Sequence, residues 1–199
     1  MITQIPNAAA ATADSVDAAR PGEDRVVLRD GSAIMIRPLI TGDVATITAW
    51  FQGLGPRARR ARFLSGVTKL DDRTRAQLAQ VDHRDHEAVV AVTADGTVAG
   101  IARYIRLQHS AAAEVAVAVV DNWGGRGLAS LLLQQIATRA RTAGIRTFTA
   151  LHLASNVAVP RLLSRLGPMT TTPRDTGIIE ARISLESTRG ASSSQGGTR

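Results

Sequence analysis

One stretch of the chain sets an acid, an apolar β-branched run and a glycine-rich turn in a single line. It reads Glu114-Val-Ala-Val-Ala-Val-Val-Asp-Asn-Trp-Gly-Gly-Arg-Gly-Leu-Ala-Ser130. A helical pattern follows, with Leu128, Leu131, Leu132, Ile136 and Ala140 on one face. Where a strand turns into a helix start, backbone N–H groups lack partners and the positive end of the helix dipole points the same way. The turn around Gly125 and Gly127 therefore reads as an anion site, and Glu114 upstream as a candidate base. Together they would serve a phosphate-bearing cosubstrate and a proton transfer.

Alone, such a glycine string is weak evidence. It is not a P-loop, because no Gly-Lys-Ser/Thr is present. Gly125-x-Gly127-x-x-Ser130 approaches a dinucleotide fingerprint, but that site needs an acid at the end of the next strand. That strand ends Thr149-Ala-Leu-His152, and the motif lies past mid-chain, so this reading fails. His83-x-x-His86 straddles a helix end and a strand start without a third ligand, so no metal is expected. Arg57, Arg59, Arg60 and Arg62 form a basic cluster, read first as a solvated helix face and second as a site for an acidic partner.

These residues need a scaffold. Arg25 to Leu28 and Ala33 to Arg37 read as strands around Asp30-Gly31, and His86 to Thr93 and Thr97 to Leu107 as strands around Asp95-Gly96. Helices are expected from Thr41 to Gly53, over Pro56 to Phe63, and from Asp71 or Asp72 to Val81. Ala113 to Val120 is a strand, Arg126 to Ala143 a helix, and Arg146 to Leu151 a strand. Asn156 to Leu166 is a short helix and Gly177 to Leu185 the last strand. The implied class is α/β in the α+β sense: a mixed sheet of about seven strands flanked by three to four helices. Residues 1–24 read as a disordered leader, 25–186 as one domain and 187–199 as a disordered Ser/Gly-rich tail.

Composition narrows the function. The chain has 199 residues, enough for one core, and 44% of them are hydrophobic. No apolar run approaches the ~20 residues of a membrane helix, and no signal peptide is visible, so a cytoplasmic protein is expected. With no cysteine, disulfides and thiol nucleophiles are excluded. The net charge is +7, and Lys69 is the only lysine among 24 basic residues. Aromatic content of 3% leaves few platforms for bases, so nucleic acid is not expected as a partner.

The order of segments resembles the cofactor-binding core of the GNAT superfamily of N-acetyltransferases. The family motif, Gln/Arg-x-x-Gly-x-Gly/Ala at a helix start, is matched by Gly127 and Ala129, while Gly124 stands where Gln or Arg is usual. A second family segment is similar to Asn156-Val-Ala-Val-Pro-Arg-Leu-Leu-Ser-Arg-Leu-Gly167; Asn156, Ala158, Leu162, Arg165 and Gly167 fit, and Leu163 replaces a frequent Tyr. Asp30 to Leu39, Phe51 to Leu64, Val81 to Ala91, Gly100 to Tyr104 and Ala113 to Ala116 resemble the catalytic domain of bacterial protein-lysine acetyltransferases.

The resemblance implies an acetyl-CoA-dependent transfer to a primary amine, foremost a protein lysine. Glu114 would be the general base. The pyrophosphate would lie on the backbone from Gly125 to Ser130, with Arg126, Leu128 and Ala129 included. The pantetheine arm would follow Val117 and Val119 and bond Asn156. Acyl-CoA and a protein or small-molecule amine are the implied partners, and the enzyme would be a monomer or homodimer. A small-amine acetyltransferase and a catalytically degenerate acyl-CoA-binding module are the alternatives; Leu163 and Gly124 motivate the latter.

Overall fold

The computed structural model describes residues 23–108, 110–174 and 177–186. The expected leader and tail lie outside them, save Glu23 and Asp24, and Asp24 opens the first strand. Eight strands form one sheet: β1 Asp24–Val27, β2 Ala33–Pro38, β3 His86–Val92, β4 Val98–Arg106, β5 Ala112–Val119, β6 Thr147–Leu153, β7 Met169–Pro173 and β8 Ile178–Ser184. Five helices accompany them: α1 Val44–Gly53, α2 Pro56–Phe63, α3 Asp72–Ala79, α4 Leu128–Thr142 and α5 Ala158–Leu163. The sheet order is β1-β2-β3-β4-β5-β6-β8-β7, and every pair is antiparallel except β5–β6.

The mixed sheet agrees with expectation, with one strand more than seven and five helices rather than three to four. The extra strand is β7. Thr170 to Pro173 are exposed, so this edge strand shows no apolar alternation, and the flanking prolines resemble a loop. The first helix also starts later than expected. Asp43, not Thr41, caps α1: its Oδ1 accepts from the Thr46 N–H at 2.9 Å, whereas the Thr41 hydroxyl donates to Val81 O at 2.6 Å. Asp71 caps α3 in the same manner, accepting from the Thr74 N–H at 2.6 Å.

The two sheet faces carry separate cores. Leu128, Leu132, Leu133, Ile136, Ala137 and Ala140 of α4 bury against Val89, Ala102, Tyr104, Val115 and Phe148. On the other face Ile47, Trp50 and Phe51 of α1, and Leu54 just after it, pack with Ala79, Val90 and Ile101. The Trp50 indole N–H also donates to Ala118 O at 3.2 Å, pinning α1 to β5.

One break interrupts the sheet between β5 and β6. β5 and β6 pair only through Ala112–Thr147, Ala113–Phe148 and Glu114–Thr149. Beyond Glu114, β5 stays with β4 as far as Val119, and β6 stays with β8 as far as Leu153. The facing edges of these two strands separate from each other there, opening a cleft through the sheet. α2 contacts both strands on one face, and α4 and α5 pack together on the other.

Candidate active site

The glycine turn stands at the wide end of this cleft. Gly125 (φ +76°) and Gly127 (φ +91°) adopt the left-handed conformation that side chains disfavour. Gly127 is the N-cap of α4, and no side chain caps the helix. The first intrahelical donors are Ser130 and Leu131, both to Gly127 O. The N–H groups of Leu128 and Ala129 thus lack an intrahelical partner, as first-turn amides do. They border a cavity of about 360 Å³ that Val119, Gly125 and Ser130 also line.

Three arginines ring the same cavity: Arg29 from the β1–β2 hairpin, and Arg161 and Arg165 from α5 and its end. Arg165 donates to the Ser130 hydroxyl at 3.3 Å. None of the three was singled out as a site residue from sequence. The spacing of Arg161 and Arg165 is four residues, which puts both on one helical face and could have flagged them. Arg29 is brought in only by the fold.

Arg126, expected among the cofactor contacts, is turned elsewhere. Its guanidinium donates to Asp30 Oδ2 at 2.7 Å, to the Ser32 hydroxyl at 3.2 Å and to Asn122 O at 2.9 Å, and it stacks 4.7 Å over the Trp123 ring. The Ser32 N–H and hydroxyl, with Arg126 behind them, hold the Asp30 carboxyl below its usual range. Arg126 therefore braces the glycine turn against the β1–β2 hairpin. Asn156 lines neither this cavity nor the next; its backbone N–H closes a turn onto Leu153 O, and Val157 rather than Asn156 is the N-cap of α5.

A narrower cavity of about 90 Å³ lies farther along β5, lined by Glu114, Val115, Ala116 and Val117. The alternation of β5 is as the sequence implies. Val115, with Val117 and Val119 beside it, packs on the α4 face, and Ala118 packs on the face of α1. Glu114 is exposed at the last paired position before the strands part. Arg62 of α2 faces the same cavity. Burial pushes its guanidinium down from its ordinary value, and the charge of Glu114 draws it back up. Leu163 of α5 and His152 of β6 close the other side.

The basic cluster of α2 divides by role. Arg57 and Arg60 are exposed, and Arg62 enters the cavity. Arg59 stacks 4.4 Å over Phe51 and donates to Thr68 O and Gln52 O, so it is structural. His83 and His86 do not converge on a metal. His83 Nδ1 lies 2.9 Å from Glu87 Oε1, and His86 Nε2 meets the Arg103 guanidinium. Among the described residues no group of three or more His, Asp or Glu could hold a metal ion. No helix among them is long and apolar enough to cross a membrane.

A helix start with unpartnered N–H groups, a parted pair of strands and an exposed carboxylate thus lie along one strand and the turn that follows it. Residues 56–167, more than half of the chain, match the model of the acetyltransferase (GNAT) family. The chain belongs to the GNAT family of acetyltransferases. It is 31% identical over 162 residues to acetyltransferase Pat of Mycolicibacterium smegmatis, covering 80% of this chain and 48% of that protein. The GNAT chain thus spans about half the length of that relative. It is 32% identical over 143 residues to acetyltransferase PA5475 of Pseudomonas aeruginosa, covering 70% of this chain and 77% of that one. In three dimensions it is similar to the GNAT domain of S. lividans PAT, with a TM-score of 0.75, 28% identity, and 82% and 97% of the two chains covered. GNAT acetyltransferases use an acyl-CoA and an amine acceptor.

Proposed function

We propose that the chain transfers an acetyl group from acetyl-CoA to a primary amine, a protein lysine foremost, by direct attack within a ternary complex. The observation that carries this reading is the parting of β5 and β6 directly after Glu114. It aligns a base, an unpaired strand edge and a helix N-terminus along one cleft. The pyrophosphate would rest on the N–H groups from Gly125 to Ser130, with Arg29, Arg161 and Arg165 balancing its charge. The pantetheine arm would run beside Val119 and Val117 as a strand partner for the free edge of β5. A β5 N–H would polarise the thioester carbonyl.

A lysine ammonium, with a reference pKa near 10.4, must lose a proton before it attacks. Glu114 would take that proton, directly or through a water. The exposed Arg57 and Arg60 lie on the helix that covers the acceptor end, which suits a protein surface carrying acidic residues. Incubation with acetyl-CoA and candidate proteins is expected to give acetyl-lysine detectable by mass spectrometry. Acetylation of small amines with none on any protein would overturn the choice of acceptor.

A further inference from the structure

His152 is buried at 3% exposure and lies on β6 three residues past Thr149, where β6 no longer has β5 beside it. Its Nδ1–H donates to Leu153 O at 3.0 Å. With the proton on Nδ1, the neutral ring carries its lone pair on Nε2. Nε2 is buried without any partner, and the residue is one of those that line the narrow cavity. Leaving such a nitrogen unpaired is unfavourable, a cost that a ligand donor would remove. The cavity has the room of about three water molecules, the scale of an acetyl group and its sulfur. The charged groups that line it with His152 are Glu114 of β5 and Arg62 of α2; α4 brings Leu133, and α5 brings Val159 and Leu163. Leu163 stands where the family often has Tyr, so that position offers the leaving sulfur no proton.

Resting on the acetyl-transfer reading above, we propose that His152 is a catalytic residue that carries a proton from the acceptor nitrogen to the departing sulfur. An ammonium acceptor sheds two protons on its way to an amide, and sulfur takes one. Glu114 receives the first and releases it to solvent. The neutral amine then forms the C–N bond, and the carbonyl pair moves to oxygen. Nitrogen and sulfur now share one tetrahedral carbon, so a single base beside that carbon can reach both. Nε2 takes the proton from the positively charged nitrogen. The carbonyl re-forms, the C–S bond breaks with its electron pair on sulfur, and the Nε2 proton follows. His152 returns to its Nδ1–H form, and no outside acid is consumed.

The test is steady-state thiol release by the whole chain and by His152→Ala and His152→Gln. The turnover number is expected to fall about 100-fold in both, with the KM for acetyl-CoA changed by less than about threefold. Free imidazole should restore part of the rate in His152→Ala by refilling the vacated space, an effect that lost packing would not show. A turnover number in His152→Gln within about threefold of wild type would overturn the role, as would a loss carried by KM alone or one that imidazole does not reverse. A wild-type chain that releases no thiol with any acceptor would instead sink the acetyl-transfer reading itself.

Discussion

Arg126 and Arg165 flank one glycine turn, yet their side chains do different things. Arg165 reaches Ser130 and the cavity wall, whereas Arg126 is held by Asp30, Ser32, Asn122 and the Trp123 ring. From sequence, Arg126 was the natural candidate because it sits inside the glycine motif. Its direction is set by the β1–β2 hairpin, almost a hundred residues upstream, and so was not legible locally. Arg165→Ala is expected to weaken acetyl-CoA about tenfold or more in calorimetry, since a charge-assisted bond contributes about 1.5–3 kcal/mol. Arg126→Ala should change affinity little and lower stability only slightly, because its ion pair is more than a third exposed. Equal losses of affinity in the two variants would contradict this division.

At the scale of elements, the joint between β3, β4 and α3 rests on one buried cation. Arg103 is 4% exposed, donates to Leu78 O at 3.1 Å and meets His86 Nε2. Burial, followed by the nearby charge of Arg62, brings the Arg103 guanidinium down to about 9. Burial, followed by Arg103, brings His86 down to about 4 from an ordinary 6.5. The sign follows from proton binding. Between pH 6.5 and about 4 the unfolded chain holds the His86 proton and the folded one does not. Stability from this group is complete above pH 6.5 and is lost as pH falls toward 4, by at most about 3 kcal/mol. The melting temperature should therefore fall across that window, and His86→Gln, which still offers Arg103 an acceptor, should flatten the slope. An unchanged slope in the variant would remove His86 as its source. The partner of His86 comes from β4. Only the folded sheet brings it there.

For the whole molecule, helices pack on each face of the sheet, and the sheet parts at one internal seam. The apolar periods of α4, β3, β4 and β5 were plain in the sequence because each buries a continuous stripe or face. β7 was not, since Thr170, Thr171 and Thr172 face solvent. Nor could sequence show that β5 and β6 part after three paired positions, because strand pairing over distance leaves no local signal. The family resemblance pointed to the glycine turn and to Glu114, and the strands part directly after Glu114. His152, with an unpaired nitrogen, became visible only once the fold set β6 beside the narrow cavity. The central claim is that this seam is an acetyl-transfer site with Glu114 as its base. The most direct measurement is thiol release from acetyl-CoA by wild type and Glu114→Gln across a panel of proteins and amines. The account predicts release that depends on the acceptor, with the variant slower by about 100-fold or more while acetyl-CoA still binds. Equal rates in the two proteins would contradict it.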